Sequence, residues 1–297
     1  MSSDNRIPVL YIAGGGHSGS TVLSIVLGVS PHIFTTGEVK FYGEHNDPDL
    51  PIWEYIENVC TCGRSSEECP YWTGVKTAVG RDLDIFHYMT STQKITTLLK
   101  ILLPFVRTKK SNAAEDDHTL FQVMLSEARK SKPGVTHILD ASKSAARLMH
   151  LRSHANLDVK VIFLVRDGRA YTNSYSKAYG KGYFRWMVQW VINNFLTLRY
   201  LKKEKIDFYY LSYKNLCLQP EEQLQAIAAK FGFDFPNNYV EHVSAQEFHI
   251  RAGNPVRIHQ ENFKGLVLEE KWRQEMPAWK RLTATILLSF FNWLWLR

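Results

Sequence analysis

Apolar residues in this chain gather into short runs, each closing on a glycine, a charged residue or a hydroxyl. Val9–Gly14 reads Val-Leu-Tyr-Ile-Ala-Gly, and His137–Ala141 reads His-Ile-Leu-Asp-Ala. Val159–Val165 is almost wholly β-branched or apolar, the mark of a strand buried on both faces, and Asp207–Leu211 repeats the pattern more briefly. Segments of helical period follow these runs, over about Ser20–Val29, Lys143–Arg152, from near Gly168, and over Glu221–Phe231; a short strand, Ile33–Thr35, comes after the first helix. Repeated strand–turn–helix units predict an α/β fold, a single domain over 1–297 with a parallel sheet flanked by helices. Two stretches break the rhythm. Residues 44–135 form a mostly helical insertion with a polar linker around Lys109–Asp117, and residues 245–297 form a tail rich in Trp, Arg and Asn.

Composition narrows the partners without naming one. Hydrophobic residues at 45% and charged residues at 22% are ordinary for a folded protein. The 36 Lys and Arg against 29 Asp and Glu leave a net charge of +7, which suits a polyanionic ligand, a nucleic acid or an acidic membrane surface. No nucleic-acid-binding motif accompanies that charge. Ile7 to Ala13 is too short for a signal-peptide core, and no run reaches the roughly 18 apolar residues of a membrane span. Leu282 to Leu296 comes nearest but is broken by Thr283, Thr285, Ser289 and Asn292, so it reads as a packing helix rather than a membrane contact. The 4 cysteines, without a secretory signal, point to a reducing compartment, and a cytoplasmic location is expected. Nothing here fixes the oligomeric state.

The chemistry concentrates at two strand ends. Gly14-Gly15-Gly16-His17-Ser18-Gly19-Ser20-Thr21 lies between a strand and a helix. Glycines let the backbone approach a phosphate, and the helix N-terminus and the hydroxyls of Ser18, Ser20 and Thr21 favour its oxygens. The loop is P-loop-like, but Ser20 stands where a nucleotide-hydrolysing Walker A motif needs lysine. Taken alone it can also be read as an ordinary Gly-rich turn. The run Val161–Val165 then delivers Arg166 to a strand's carboxyl end, with Ser174 on the following helix, an apt cradle for a second phosphate.

These two segments resemble the PAPS-dependent sulfotransferases, where PAPS is 3′-phosphoadenosine-5′-phosphosulfate. His17-Ser18-Gly19-Ser20-Thr21 is similar to that family's 5′-phosphosulfate loop, with His17 where a permanent cation is usual. Arg166-Asp167-Gly168-Arg169-Ala170-Tyr171-Thr172-Asn173-Ser174 is similar to its 3′-phosphate motif, in which Arg166 and Ser174 are the ligands and Asp167 and Arg169 are structural. The resemblance implies a cofactor site of Gly16, His17, Ser18, Gly19, Ser20, Thr21, Arg166 and Ser174. Tyr213, in Leu-Ser-Tyr-Lys-Asn-Leu, is implied at the adenine, and Arg257, in Gly-Asn-Pro-Val-Arg, as a further phosphate ligand with Lys264 behind it.

Sulfuryl transfer needs a base for the acceptor and positive charge for the leaving group. Glu38, beside Gly37, resembles the general base of tyrosylprotein sulfotransferases, although it also reads as a plain surface carboxylate. Lys143, in Asp-Ala-Ser-Lys, resembles a segment of bacterial members, with a solvated helix-start lysine as the other reading. His17 is expected to donate to the bridging oxygen, a bound phosphosulfate raising its pKa above the usual value of about 6.5. The expected reaction is in-line transfer to a hydroxyl or amine of a small-molecule acceptor, without a metal, releasing adenosine 3′,5′-bisphosphate. Residues 44–135 would carry acceptor specificity, and 245–297 would cover the cofactor. A kinase or NTPase of the P-loop type is the competing reading. Cys60-Thr61-Cys62-Gly63 and Cys69-Pro70-Tyr71-Trp72 resemble a segment of bacterial relatives and read as a structural loop or disulfide before a zinc site, since Cys-x-Cys is not the usual ligand spacing.

Overall fold

Alternation along the first strand decides the layering. β1 (Ile7–Gly14) turns Leu10 and Ile12 to one face and Val9, Tyr11 and Ala13 to the other, and all of them are fully buried. A strand apolar on both faces needs cover on both, and each such side chain contributes about 1.5–3 kcal/mol when buried. The structure, a computed structural model, describes residues 6–42, 59–83, 85, 113–153, 156–180, 182–254, 257 and 263–296.

After β1 come α1 (Ser20–Leu27) and β2 (Ile33–Gly37), which ends in a 3₁₀ turn at Val39–Phe41. The insertion supplies α2 (Pro70–Val79) and α3 (Ala113–Ser131). Then follow β3 (His137–Lys143), α4 (Ala145–Arg152), β4 (Leu157–Val165), α5 (Gly168–Tyr179), α6 (Tyr183–Lys203) and β5 (Phe208–Ser212). The chain continues through α7 (Tyr213–Leu218), α8 (Pro220–Phe231), α9 (Tyr239–Ala245), α10 (Trp272–Glu275) and α11 (Ala278–Trp295).

Among the described residues the sheet has five parallel strands in the order β2-β3-β1-β4-β5. β1 is therefore central, with β2 and β3 on one side and β4 and β5 on the other, and the crevice at the strands' carboxyl ends is where such sheets bind ligands. α3, α4, α6 and α11 pack on one face, and α1, α8 and α9 on the other.

The expected α/β domain is observed, with two differences in detail. The polar linker ends early: α3 begins at Ala113, because Asp117 is drawn into the core to pair with Arg147 at 2.5 Å, both side chains fully buried. Lys109 to Asn112 lie outside the described residues. The expected C-terminal packing helix, α11, buries Ala284, Leu288 and Trp295, with Phe291 packed beside them, and turns Trp279, Leu282, Ile286 and Phe290 outward. No helix among the described residues is long and apolar enough to cross a membrane.

Candidate active site at the carboxyl ends of the strands

The loop after β1 reaches α1 through Gly19, the helix N-cap, at φ +89°. A Cβ there would lie 2.3 Å from the Tyr213 ring, so conformation and space both demand glycine. Gly16 lies against the Tyr175 hydroxyl, and Ser18 and Ser20 are buried beneath the loop. Thr21 accepts a hydrogen bond from the Asn254 backbone N–H at 3.2 Å, which lays the Gly253-Asn254 turn of the tail over the loop. The first amides of α1 have no intrahelical acceptor, and the N-cap offers no side chain to satisfy them.

His17 stands at the centre of this loop with φ +52°, and Lys143 at the end of β3 has φ +66°, both in the left-handed region that non-glycine residues rarely adopt. Burial, then the positive charges of Lys143 and Arg166, hold the His17 imidazole down to about 4. In the free protein it is therefore neutral; the protonated donor expected from sequence belongs to the phosphosulfate-bound state. Its Nδ1 lies 2.9 Å from the Ser174 hydroxyl. With the ring neutral, that hydroxyl donates to Nδ1 in the Nε2–H tautomer and accepts from it in the Nδ1–H tautomer. The ring also meets Tyr175 edge-on, at 4.5 Å between centroids.

β4 hands Arg166 to the crevice as expected. Its Nη1 donates to the His17 carbonyl at 2.9 Å, its Nη2 donates to the Glu269 carbonyl at 3.3 Å, and its guanidinium lies 5.0 Å over the Tyr213 ring. The Glu269 carboxylate is 3.7 Å away. Arg166, Ser174, Asn173, Lys177, Lys271 and Trp272 border a cavity of about 180 Å³ here, with Glu269 and Glu275 at its margin. Asp167 accepts from the Arg169 N–H at 2.8 Å as the cap of α5 and pairs with the Arg169 guanidinium, which stacks on Trp272 at 4.4 Å. Both are structural, as expected.

Glu38 follows β2 and lies at the other wall. Its carboxylate is gripped by the Lys143 ammonium on one oxygen and by Lys40 at 2.9 Å on the other, with only 11% of the side chain exposed. Burial pushes the carboxyl up, but Lys143 and Lys40 outweigh it and hold the group at about 2. Burial likewise pushes Lys143 below its ordinary value, against the pull of Glu38. Neither reads as a solvated surface charge. Their placement rests on Asp140, fully buried at the end of β3, which accepts from the Ser142 N–H at 2.9 Å, the Val39 N–H at 3.3 Å and Arg147 Nε at 3.5 Å. Arg147 in turn is held by Asp117, which also pairs with His150 at 2.9 Å.

Two tail candidates differ in kind. Tyr213 is 9% exposed, packed against Gly19 and Arg166 with its hydroxyl donating to the Val267 carbonyl at 3.1 Å, so its ring backs the loop rather than facing an open cleft. Arg257 is buried at 1% exposure; its neighbours Pro255 and Val256 lie outside the described residues. Lys264 is an exposed residue of the tail. Sequence reasoning missed Lys40, Tyr175 and the Asp117–Arg147–Asp140 chain. Lys40 was within reach, two positions after Glu38, but nothing local links Asp117 to Arg147.

No protein-family model matches the sequence, and no curated protein does. The structure is similar to the sulfotransferase domain from the curacin biosynthetic pathway, at 15% identity and a TM-score of 0.50 over 96% of this chain and 98% of that one. It is also similar to the sulfotransferase domain from the Synechococcus PCC 7002 olefin synthase, at 16% identity and a TM-score of 0.51 over 98% and 97%. At such identities the likeness establishes a shared fold along nearly the whole chain.

Proposed function

We propose that this chain is a PAPS-dependent sulfotransferase acting on a hydroxyl or amine of a small-molecule acceptor. The observation that carries the reading is the convergence of an anion-receptive loop, Arg166 with Ser174, and a buried Glu38–Lys143 pair on one crevice. The donor set fits a bisphosphorylated nucleotide. Gly16, His17, Ser18, Gly19, Ser20 and Thr21 would hold the 5′-phosphosulfate, and Arg166 with Ser174, aided by Arg257, the 3′-phosphate; Tyr213 would support the base side from beneath the loop. Residues 245–297 would cover the nucleotide, as the contacts of Asn254, Val267 and Glu269 with the site support. Residues 44–135 would select the acceptor.

PAPS supplies an activated sulfuryl group whose bridging oxygen gains negative charge as it leaves. A carboxylate held at about 2 is a poor base while its lysines grip it. Lys143 has the means to resolve this: turning from Glu38 toward the leaving oxygen places positive charge where negative charge develops and restores the basicity of Glu38 toward the acceptor proton. Neutral His17, in the tautomer whose Nδ1 accepts from Ser174, would offer an Nε2–H to the same oxygens. The test is binding and turnover together. Adenosine 3′,5′-bisphosphate should raise the melting temperature while Mg-ATP does not, and PAPS should be consumed with one member of a metabolite panel. Stabilisation by Mg-ATP alone would favour the kinase or NTPase reading instead.

A further inference from the structure

The cysteines that sequence spacing set aside are brought together by the fold with a partner from the far end of the chain. Cys60-Thr61-Cys62-Gly63 folds as a tight turn: the Cys60 N–H donates to the Arg64 carbonyl at 2.9 Å, and the Gly63 N–H to the Cys60 carbonyl at 3.0 Å. Cys69 sits at the N-cap of α2, its N–H bonded to the Ser65 carbonyl at 2.9 Å. His249 arrives on the segment after α9, which is laced to the turn. Thr61 N–H donates to the Ile250 carbonyl at 3.2 Å, Ile250 N–H to the Thr61 hydroxyl at 2.8 Å, and Trp72 Nε1 to the His249 carbonyl at 3.1 Å. The imidazole plane is set by stacking on Tyr71 and Phe34, within 17° and 18° of parallel.

The ligand atoms of Cys60, Cys62, Cys69 and His249 all lie within 4.8 Å of one another. His249 Nδ1 is 3.3 Å from Cys69 Sγ and 3.9 Å from Cys60 Sγ. A tetrahedral zinc ion with Zn–S of about 2.3 Å and Zn–N of about 2.0–2.1 Å has sulfur–nitrogen edges of roughly 3.6 Å, between those two values. We propose that Cys60, Cys62, Cys69 and His249 form a structural zinc site. Three soft thiolates and an imidazole in a four-sided cage select zinc over hard cations, and four protein ligands leave no open position for catalysis. Binding releases the thiol protons to solvent while His249 coordinates as a neutral ring through Nδ1. A disulfide would join two of the sulfurs and give the third thiol and His249 nothing to do.

The site clamps the insertion to the segment that carries Arg251. Arg251 bridges Gly37, where φ is +85° and a Cβ would lie 2.0 Å from the Arg251 carbonyl, and that carbonyl accepts the Glu38 N–H at 3.2 Å. The metal would thus fix the strand that seats Glu38; this consequence rests on the proposed function, whereas the site does not.

Metal analysis of the full chain, purified reduced and without chelator, tests it. One zinc per chain is expected, lost in Cys69→Ser and in His249→Ala and retained in Cys217→Ser, whose thiol lies outside the cluster. Because the ligand variants can fail to fold, the wild-type chain is also stripped and refilled with cobalt(II), which should show thiolate-to-cobalt charge transfer and tetrahedral ligand-field bands. Fewer than about one metal per ten chains together with no cobalt charge transfer would overturn the proposal. So would a mass lighter by one disulfide between two of the three cysteines in chain purified without oxidant. Neither result bears on PAPS binding, so the two readings fail separately.

Discussion

The two walls of the crevice hold their charges in different ways. On the β4 side, Arg166 is secured by the neutral His17 and Glu269 carbonyls and the Tyr213 face, and the Glu269 carboxylate stands off at 3.7 Å with 46% of its side chain exposed. On the β2–β3 side, Glu38 is enclosed between Lys143 and Lys40. Charges near water interact several-fold more weakly than the same charges buried, so the first wall is ready to accept an anion and the second is latched on itself. Under the proposed function such a division would separate binding from chemistry: one wall should answer to ligand affinity, and the other to turnover.

The largest expected effect breaks the latched wall at its acid. Glu38→Gln keeps the shape and removes the proposed base, and should lower turnover by about 10²–10⁴ while affinity for adenosine 3′,5′-bisphosphate changes little. A loss of less than about threefold with a hydroxyl acceptor would remove Glu38 as the base. Next comes the foundation of that wall. Arg147→Met strands the fully buried Asp117 and Asp140 without their cation and should cost about 3–5 kcal/mol in urea unfolding. Adding Asp117→Leu should recover part of that loss, since an apolar pair avoids the desolvation that a lone buried carboxylate suffers.

The same division governs what could be read from sequence. The β4 wall is written in contiguous residues: strand, Arg166, the Asp167 cap and Ser174 follow one another, so pattern and motif find them together. The glycine loop is legible for the same reason. The latched wall is assembled across the chain. Glu38 and Lys143 were found as separate candidates, but their mutual grip, the Lys40 contact and the buried Asp117–Arg147–Asp140 support arise only when β2, β3 and α3 come together. Asp117 even sits in a stretch whose polarity reads as linker. Cys60, Cys62 and Cys69 were visible, and His249 was not connected to them, because a ligand brought in from after α9 leaves no spacing signal. The neutral state of His17 in the free chain is not legible for a related reason: it depends first on burial and then on Lys143 and Arg166 at the ends of β3 and β4.

His17 joins the two walls and gives a pH test of intermediate size. The unfolded imidazole gains a proton near 6.5, whereas the folded one resists until about 4. Between those values the unfolded chain binds more protons, so stability falls as pH drops through that window, by about 2–3 kcal/mol from this group. The difference in unfolding free energy between wild type and His17→Gln, followed from pH 7.5 to 4.5, isolates the effect from His137, which burial also holds to about 4. Parallel curves would show that His17 is not held neutral. On the β4 wall, Arg166→Ala should weaken adenosine 3′,5′-bisphosphate binding by roughly ten- to hundred-fold, the value of about 1.5–3 kcal/mol for a charged hydrogen-bonding group. Unchanged affinity by calorimetry would take Arg166 out of the site.

The smallest effect has the opposite sign and sharpens the contrast most. Glu269 faces Arg166 at 3.7 Å and Lys271 at 2.8 Å, so both cations at the cavity margin spend part of their field on one carboxylate. A phosphate entering the cavity must displace that carboxylate or sit beside it, and either costs affinity. Glu269→Gln removes the competing charge while keeping the side chain's reach. Partly exposed pairs of this kind are worth about 0.2–1 kcal/mol, so adenosine 3′,5′-bisphosphate should bind roughly 1.5- to 5-fold more tightly. The gain should shrink as salt is raised from about 50 to 500 mM, because screening weakens the pair it relieves. The buried Glu38–Lys143 contact, by comparison, should show little salt dependence. Weaker binding in Glu269→Gln would mean that the carboxylate serves the ligand, for instance by orienting Arg166, and the β4 wall would then be as closely built as the one opposite.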